Sequence, residues 1–177
     1  ASRIGARTGP CGEPILLPDQ NRARWDRLLI GRGLAALERA EALGGALGPY
    51  ALQAAIAACH ARARSADETD WTRIAALYDA LAQTAPSPVV ELNRAVALAM
   101  AFGPSTGLQH VDALRDEPTL QGYHLLPSVR SDLLARLGRH DQAQAEFRRA
   151  AQLTRNERER ELLLRRAQDC AVAMRPE

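Results

Sequence analysis

Lysine is absent from this 177-residue chain, whose 23 basic residues are all arginine. That absence excludes a phosphate-binding lysine, a Schiff base and an amine general base. Aromatic residues are also scarce, at 4% of the sequence, although hydrophobic residues as a whole make up 46%. Alanine and leucine must therefore supply the core. This favours closely spaced helices over β-sheets, because strands prefer aromatic and β-branched residues.

Cysteine is also rare, and Cys11, Cys59 and Cys170 lie far apart. They form no CxxC motif or Cys/His cluster with the spacing of metal ligands, so we expect reduced thiols, with Cys59 buried in a helix. The sequence has no run of about 20 apolar residues that could span a membrane, and no signal peptide. The chain begins at Ala1 and not at a methionine, which suggests a fragment of a longer protein.

The positions of glycine, proline and apolar residues predict an all-α fold. Residues 1–18 are irregular, because glycines and prolines interrupt any helix. We predict a capping helix in residues 19–45, with Asp19 as its N-cap. Gly31 and Gly33 would lie where this helix packs closely against a neighbour. Further helices are predicted at residues 49–65, 70–84, 87–102, 104–116, 121–137, 140–154 and 156–172. Their short connections indicate antiparallel pairs.

A repeat of about 35 residues relates these helix pairs. The offsets typical of a tetratricopeptide second helix are matched by Gly138, Ala143, Phe147 and Ala150. Gly103 lies one repeat earlier and Glu68 lies two repeats earlier, although the Gly103 repeat is degenerate at the later offsets. We therefore predict three tetratricopeptide-like pairs in residues 46–155, arranged as a right-handed superhelix. Capping helices in residues 19–45 and 156–177 would cover its ends.

The first helix of each predicted pair would line a concave groove. Its lining is small and weakly polar: Ala55, Ala58, Arg62 and Ser65; Val90, Asn93, Ala97 and Met100; and Leu125, Ser128, Asp132 and Ala135. We expect Arg62, Asn93 and Asp132 to contact a protein partner in this groove. Arg94 and Arg130 are expected to assist them from nearby positions. Alternatively, Asn93 forms a structural hydrogen bond between helices.

No motif predicts catalysis, a metal site or a cofactor. The histidines, on different predicted helices, lack the spacing of metal ligands: His60, His110, His124 and His140. Residues 103–107 are rich in glycine but lack the lysine of a phosphate loop. The arginines of residues 148–166 alternate with glutamates, which favours a solvated capping helix over a nucleic-acid surface. We therefore expect neither an enzyme nor a direct DNA contact.

Five ordered blocks of the sequence resemble one group of bacterial sigma factors. The blocks are residues 19–26, 48–58, 70–71 with 77–79, 86–97 and 122–127. They are similar to the C-terminal tetratricopeptide-like extension of extracytoplasmic-function RNA polymerase sigma factors. The resemblance covers nearly the whole chain, although Cys11 and Asn21 stand where that group typically has acidic residues.

This resemblance implies a cytoplasmic bacterial protein that regulates transcription initiation through protein contacts. The implied partners are the upstream sigma regions, RNA polymerase or another protein. The helices that bind the polymerase and the promoter would precede this chain, so promoter recognition is not assigned to these residues. The main alternative is a helical-repeat domain that senses a small molecule in its groove.

Overall fold

The computed structural model describes residues 2–10, 12–44 and 47–174. Those residues contain eight α-helices and no β-strand, so the prediction of an all-α fold is confirmed. The helices are α1 Arg27–Ala42, α2 Pro49–Arg62, α3 Trp71–Thr84, α4 Pro88–Phe102, α5 Pro104–Ala113, α6 Leu125–Arg136, α7 His140–Leu153 and α8 Glu157–Ala173. They belong to two compact units: unit 1, Ala1–Pro86, contains α1–α3, and unit 2, Ser87–Glu177, contains α4–α8.

The first helix starts later than the sequence predicts. Leu17–Asp19 and Arg22–Arg24 form single 3-10 turns, and α1 begins only after Asp26. The Asn21 side chain accepts a hydrogen bond from the Ala23 amide at 2.9 Å, and Asn21 itself has an extended backbone. Such a local bond competes with helix formation. Asp26 is the actual N-cap, because its carboxylate accepts from the Leu29 amide at 3.0 Å. The prediction of Asp19 as the N-cap is wrong.

The glycines of α1 do not mark a close helix contact. A Cβ atom built on Gly31 or Gly33 would have no neighbouring atom within 4 Å. Both residues are exposed, so the predicted contact at this point is wrong.

Helix α1 packs instead through Leu37, which is buried with Ala55 and Ala58 of α2. The two small side chains allow α1 to lie close to α2. Ala55 and Ala58 are 4% and 5% exposed, so they belong to the core of unit 1 and not to an open groove. The prediction that they line the groove is wrong, because α1 covers that face of α2.

A buried arginine joins the N-terminal segment to the corner between α2 and α3. The Arg22 guanidinium donates to the carbonyl oxygens of His60 and Ala63 and to the Thr69 hydroxyl, the latter two at 3.0 Å. It also lies 4.9 Å from the centre of the Trp25 ring. The end of α2 has no glycine cap, and Arg22 satisfies carbonyls that a glycine-based cap would otherwise pair.

Unit 2 turns at two glycines that occupy equivalent corners. Gly103 lies between α4 and α5 with φ 100°, and Gly138 follows α6 before α7 with φ 74°. A positive φ is strained for residues with a side chain, so glycine favours a sharp turn at each corner. The prediction that Gly103 and Gly138 mark equivalent corners between paired helices is confirmed.

The pair formed by α4 and α5 depends on a third glycine. A Cβ atom on Gly107 would lie 2.4 Å from the Ala99 Cβ and 2.7 Å from the Ala95 carbonyl oxygen. In the next pair, Ala143 is the small residue and is fully buried. Gly107 therefore provides the close approach that the degenerate repeat lacks at Leu108.

The core of unit 2 runs continuously from α4 to α8. Phe147 of α7 is its largest fully buried side chain, with 1% exposure. The Gln144 amide in the first half of α7 donates to the Ala167 carbonyl in the second half of α8, at 3.2 Å. Since a turn of three residues joins α7 to α8, this bond shows that the two helices are antiparallel. Asn156 caps α8 by accepting from two backbone amides of its first turn, as its position predicts.

Candidate interaction groove

One face of α6 contacts both α4 and α8. The Arg136 guanidinium lies 3.3 Å from the Met100 sulfur of α4, and Arg166 of α8 donates to the Asp132 carboxylate. The partners are 36 and 34 residues apart, close to one repeat length. The side chains on this face form a surface that we call the unit 2 groove: Met100, Asp132, Ala135, Arg136, Arg166, Asp169 and Ala173.

A cleft opens in the unit 2 groove between α6 and α8. Its volume is about 330 Å³, and it is lined by Ala135, His140, Phe147, Arg166, Asp169, Cys170 and Ala173. The guanidinium carbon of Arg166 lies 4.6 Å from the centre of the Phe147 ring. This distance is typical of a cation–π contact. The cleft therefore combines an apolar surface with charged groups at its edge.

The two acidic side chains beside the cleft are in different electrostatic states. Asp132 accepts a charge-assisted bond from Arg166, so the charges of this pair largely compensate. Asp169 is exposed and forms no ion pair within residues 2–10, 12–44 and 47–174. Its carboxylate is therefore not held by a cation of the described residues.

The remaining polar groups of the cleft are partly or wholly buried. The Nδ1 atom of His140 is buried and has no hydrogen-bond partner among the described residues. Burial raises the pKa of the Cys170 thiol, so this cysteine is a poor nucleophile near neutral pH.

The structure places two of the predicted contact residues on the surface of unit 2. Asp132 lies in the unit 2 groove, with 44% of its side chain exposed. Asn93 is exposed on α4, and its side chain makes no hydrogen bond within the described part of the chain. The alternative of a structural bond between helices is therefore wrong for Asn93. Ala97, predicted in the same groove, is buried in the core.

Two predicted arginines of unit 2 are held by neighbouring carboxylates. Arg94 is half-buried and lies 3.2 Å from Glu91 on the same helix. Arg130 lies 2.7 Å from Asp112 of α5 and 2.9 Å from Glu146 of α7. Only 12% of the Arg130 side chain is exposed, so it joins three helices and does not lie in the unit 2 groove.

Arg62 belongs to unit 1 and is exposed at the end of α2. It lines a separate cleft of about 270 Å³ together with Cys59, Ala63, Glu68, Asp70 and Arg73. Burial raises the pKa of the Cys59 thiol, and Cys59 is buried in a helix as predicted. Cys11 lies outside the described residues.

Sequence reasoning missed Arg166, Asp169 and the cleft they border. One signal was available, because Arg166 follows Asp132 by nearly one repeat and so continues the groove register onto α8. Within the described ranges, no three His, Cys, Asp or Glu side chains are grouped as metal ligands would be. No helix in those ranges is both long and apolar enough to cross a membrane.

Comparisons with known proteins give the following similarities. Residues 1–41 match a family of unknown function (DUF6596). An uncharacterized protein of Rhizobium meliloti (strain 1021) is 44% identical over 155 residues, which cover 88% of this chain. The aligned part spans only 36% of the length of that relative. No solved structure matches significantly.

Proposed function

We propose that this chain is the C-terminal tetratricopeptide-like extension of an extracytoplasmic-function sigma factor. In this role it acts in the bacterial cytoplasm and modulates transcription initiation through protein contacts. Its helix pairs would continue as a right-handed superhelix, and the unit 2 groove would bind the upstream sigma regions, RNA polymerase or another protein. The five sequence blocks that resemble this group of sigma factors support the assignment.

The observation that carries the interaction role is the repeated contact across α4, α6 and α8. Arg136 with Met100, and Arg166 with Asp132, join successive first helices at nearly one repeat length. These contacts leave an exposed face with an apolar cleft at its end. Helical repeats commonly use such extended faces to bind other proteins. The length of the Rhizobium meliloti relative, of which this chain spans 36%, is compatible with further domains beside the extension.

The proposal is tested by transcription in vitro with the full-length factor and with a form that lacks this extension. We expect the two forms to differ in promoter-dependent transcript yield and in recovery of the partner in pull-down experiments. Equal transcript yield together with equal partner binding would contradict the proposal.

A surface variant locates the effect within the full-length factor. Asp132→Arg reverses the charge of an exposed groove residue and breaks its bond with Arg166, so it should weaken partner binding. Asp116→Arg makes the same charge change at an exposed position outside the groove and serves as the control. If both variants bind the partner as the parent does, the unit 2 groove is not the binding surface.

A further inference from the structure

We propose that the cleft between α6 and α8 receives one arginine or lysine side chain of a protein partner. This inference rests on the proposed interaction role of the unit 2 groove and specifies the chemistry of its partner. The aliphatic stem of the incoming side chain would lie between Ala135 and Ala173. Its cationic group would reach the Asp169 carboxylate at the edge.

The size of the cleft favours a single side chain. Its volume of about 330 Å³ is at the lower limit of pockets that enclose small molecules. The cleft is also open to solvent along the groove, because Ala173 and Asp169 at its border are exposed. A side chain that projects from a partner segment fits this geometry better than a free ligand enclosed on all sides.

The nature of the walls favours a long side chain with an apolar stem. The methyl groups of Ala135 and Ala173 offer carbon atoms and no hydrogen-bonding groups. The Phe147 ring is 1% exposed and lies under the Arg166 guanidinium. Lysine and arginine characteristically bury their methylene groups against such surfaces while the charged group stays in water.

The charge at the edge selects a cation over a neutral side chain. Arg165 and Arg166 lie on the same helix as Asp169, but neither forms an ion pair with it in the described part of the chain. Arg166 is directed to Asp132 and to the Phe147 ring instead. Asp169 is therefore available to a cation from outside.

The test uses the 177-residue chain labelled with ¹⁵N and titrated with N-acetyl-arginine methylamide, followed by amide chemical shifts. N-acetyl-citrulline methylamide has nearly the same shape without the charge and is the matched ligand control. We expect millimolar binding of the arginine probe, with the largest shifts at Ala135, Cys170 and Ala173. The citrulline probe should bind about two- to fivefold more weakly, the range of an exposed ion pair.

Two pairs of variants separate the contributions of charge and shape. Asp169→Asn should weaken binding of the arginine probe by about two- to fivefold, the range of an exposed ion pair. Asp116→Asn should leave this binding unchanged. Ala173→Leu should fill the cleft and abolish the localised shifts, whereas Ala145→Leu, an exposed alanine on α7, should preserve them.

Equal affinity of the citrulline and arginine probes would overturn the inference, as would an absence of localised shifts at millimolar concentrations. Shifts that persist in Ala173→Leu would overturn it too. These results do not depend on transcription, so the cleft can fail this test while the extension still regulates initiation. Conversely, the arginine probe can bind in a protein whose extension has no effect on initiation.

Discussion

Replacement of Arg22 by methionine should destabilise unit 1 strongly. The substitution keeps an apolar stem but removes the donors to His60, Ala63 and Thr69. Bonds from a charged donor contribute about 1.5–3 kcal/mol each, and a buried carbonyl that loses its partner costs about 1–3 kcal/mol. These contributions are not additive in a network, so we expect a loss of about 3–5 kcal/mol in the free energy of unfolding.

Tryptophan fluorescence during urea unfolding measures this effect directly. The chain has two tryptophans, Trp25 and Trp71, and both lie in unit 1, so their emission reports on that unit. Trp25 is 4% exposed and in contact with Arg22, so its emission should also change in the folded variant.

Two further variants test whether the geometry or the charge of the Arg22 side chain stabilises unit 1. Arg22→Lys retains the charge but not the planar fork of donors, so it should still lose about 1–3 kcal/mol. Arg24→Met changes an exposed arginine on the same 3-10 turn and should cost less than about 0.5 kcal/mol. If Arg22→Met and Arg24→Met unfold at the same urea concentration, the bonds at the corner do not stabilise unit 1.

Three other predictions concern packing, buried charge and pH. Gly107→Ala should destabilise unit 2 by about 1–3 kcal/mol through overpacking, as measured by thermal unfolding with circular dichroism. Gly122→Ala is the control, because a Cβ atom built on Gly122 has no neighbouring atom within 4 Å. Arg130→Met should lower the free energy of unfolding by about 3–5 kcal/mol in chemical denaturation, because it leaves the carboxylate of Glu146 buried without its partner. A loss below about 1 kcal/mol would show that this ion pair does not stabilise the fold. Burial, with nearby arginines, lowers the pKa of His60 from 6.5 to about 4. The unfolded chain therefore binds more protons between these pH values. Unit 1 should lose about 1–2 kcal/mol as the pH falls through that range, because solvent around the partly exposed ring weakens the effect. In His60→Gln this pH dependence should be reduced, and an unchanged dependence in urea unfolding would assign it to other groups.

The helix pattern of this protein could be predicted largely from local chemistry. Asp70 and Asn156, each directly before its helix, cap α3 and α8, and glycine allows the sharp corners at Gly103 and Gly138. These features depend on a few neighbouring residues and on backbone conformations that the residue type itself restricts. The repeat spacing likewise follows from the sequence, because each unit of the pattern is one helix pair.

The exposed surface required the tertiary structure. Ala55 and Ala58 have the pattern of a groove face, yet α1 covers them, and periodicity does not show which neighbour covers a helix face. Arg130 and Arg166 are both arginines near a predicted groove, but Arg130 is held between α5 and α7, whereas Arg166 borders the cleft.

The sequence by itself therefore determined the helical content, the caps of α3 and α8 and the repeat length, since these depend on nearby residues. Tertiary structure decided which side chains remained accessible, because burial and ion pairing depend on residues that are distant in the chain. Arg22 illustrates the difference, since its acceptor Thr69 lies 47 positions later and no local pattern links the two.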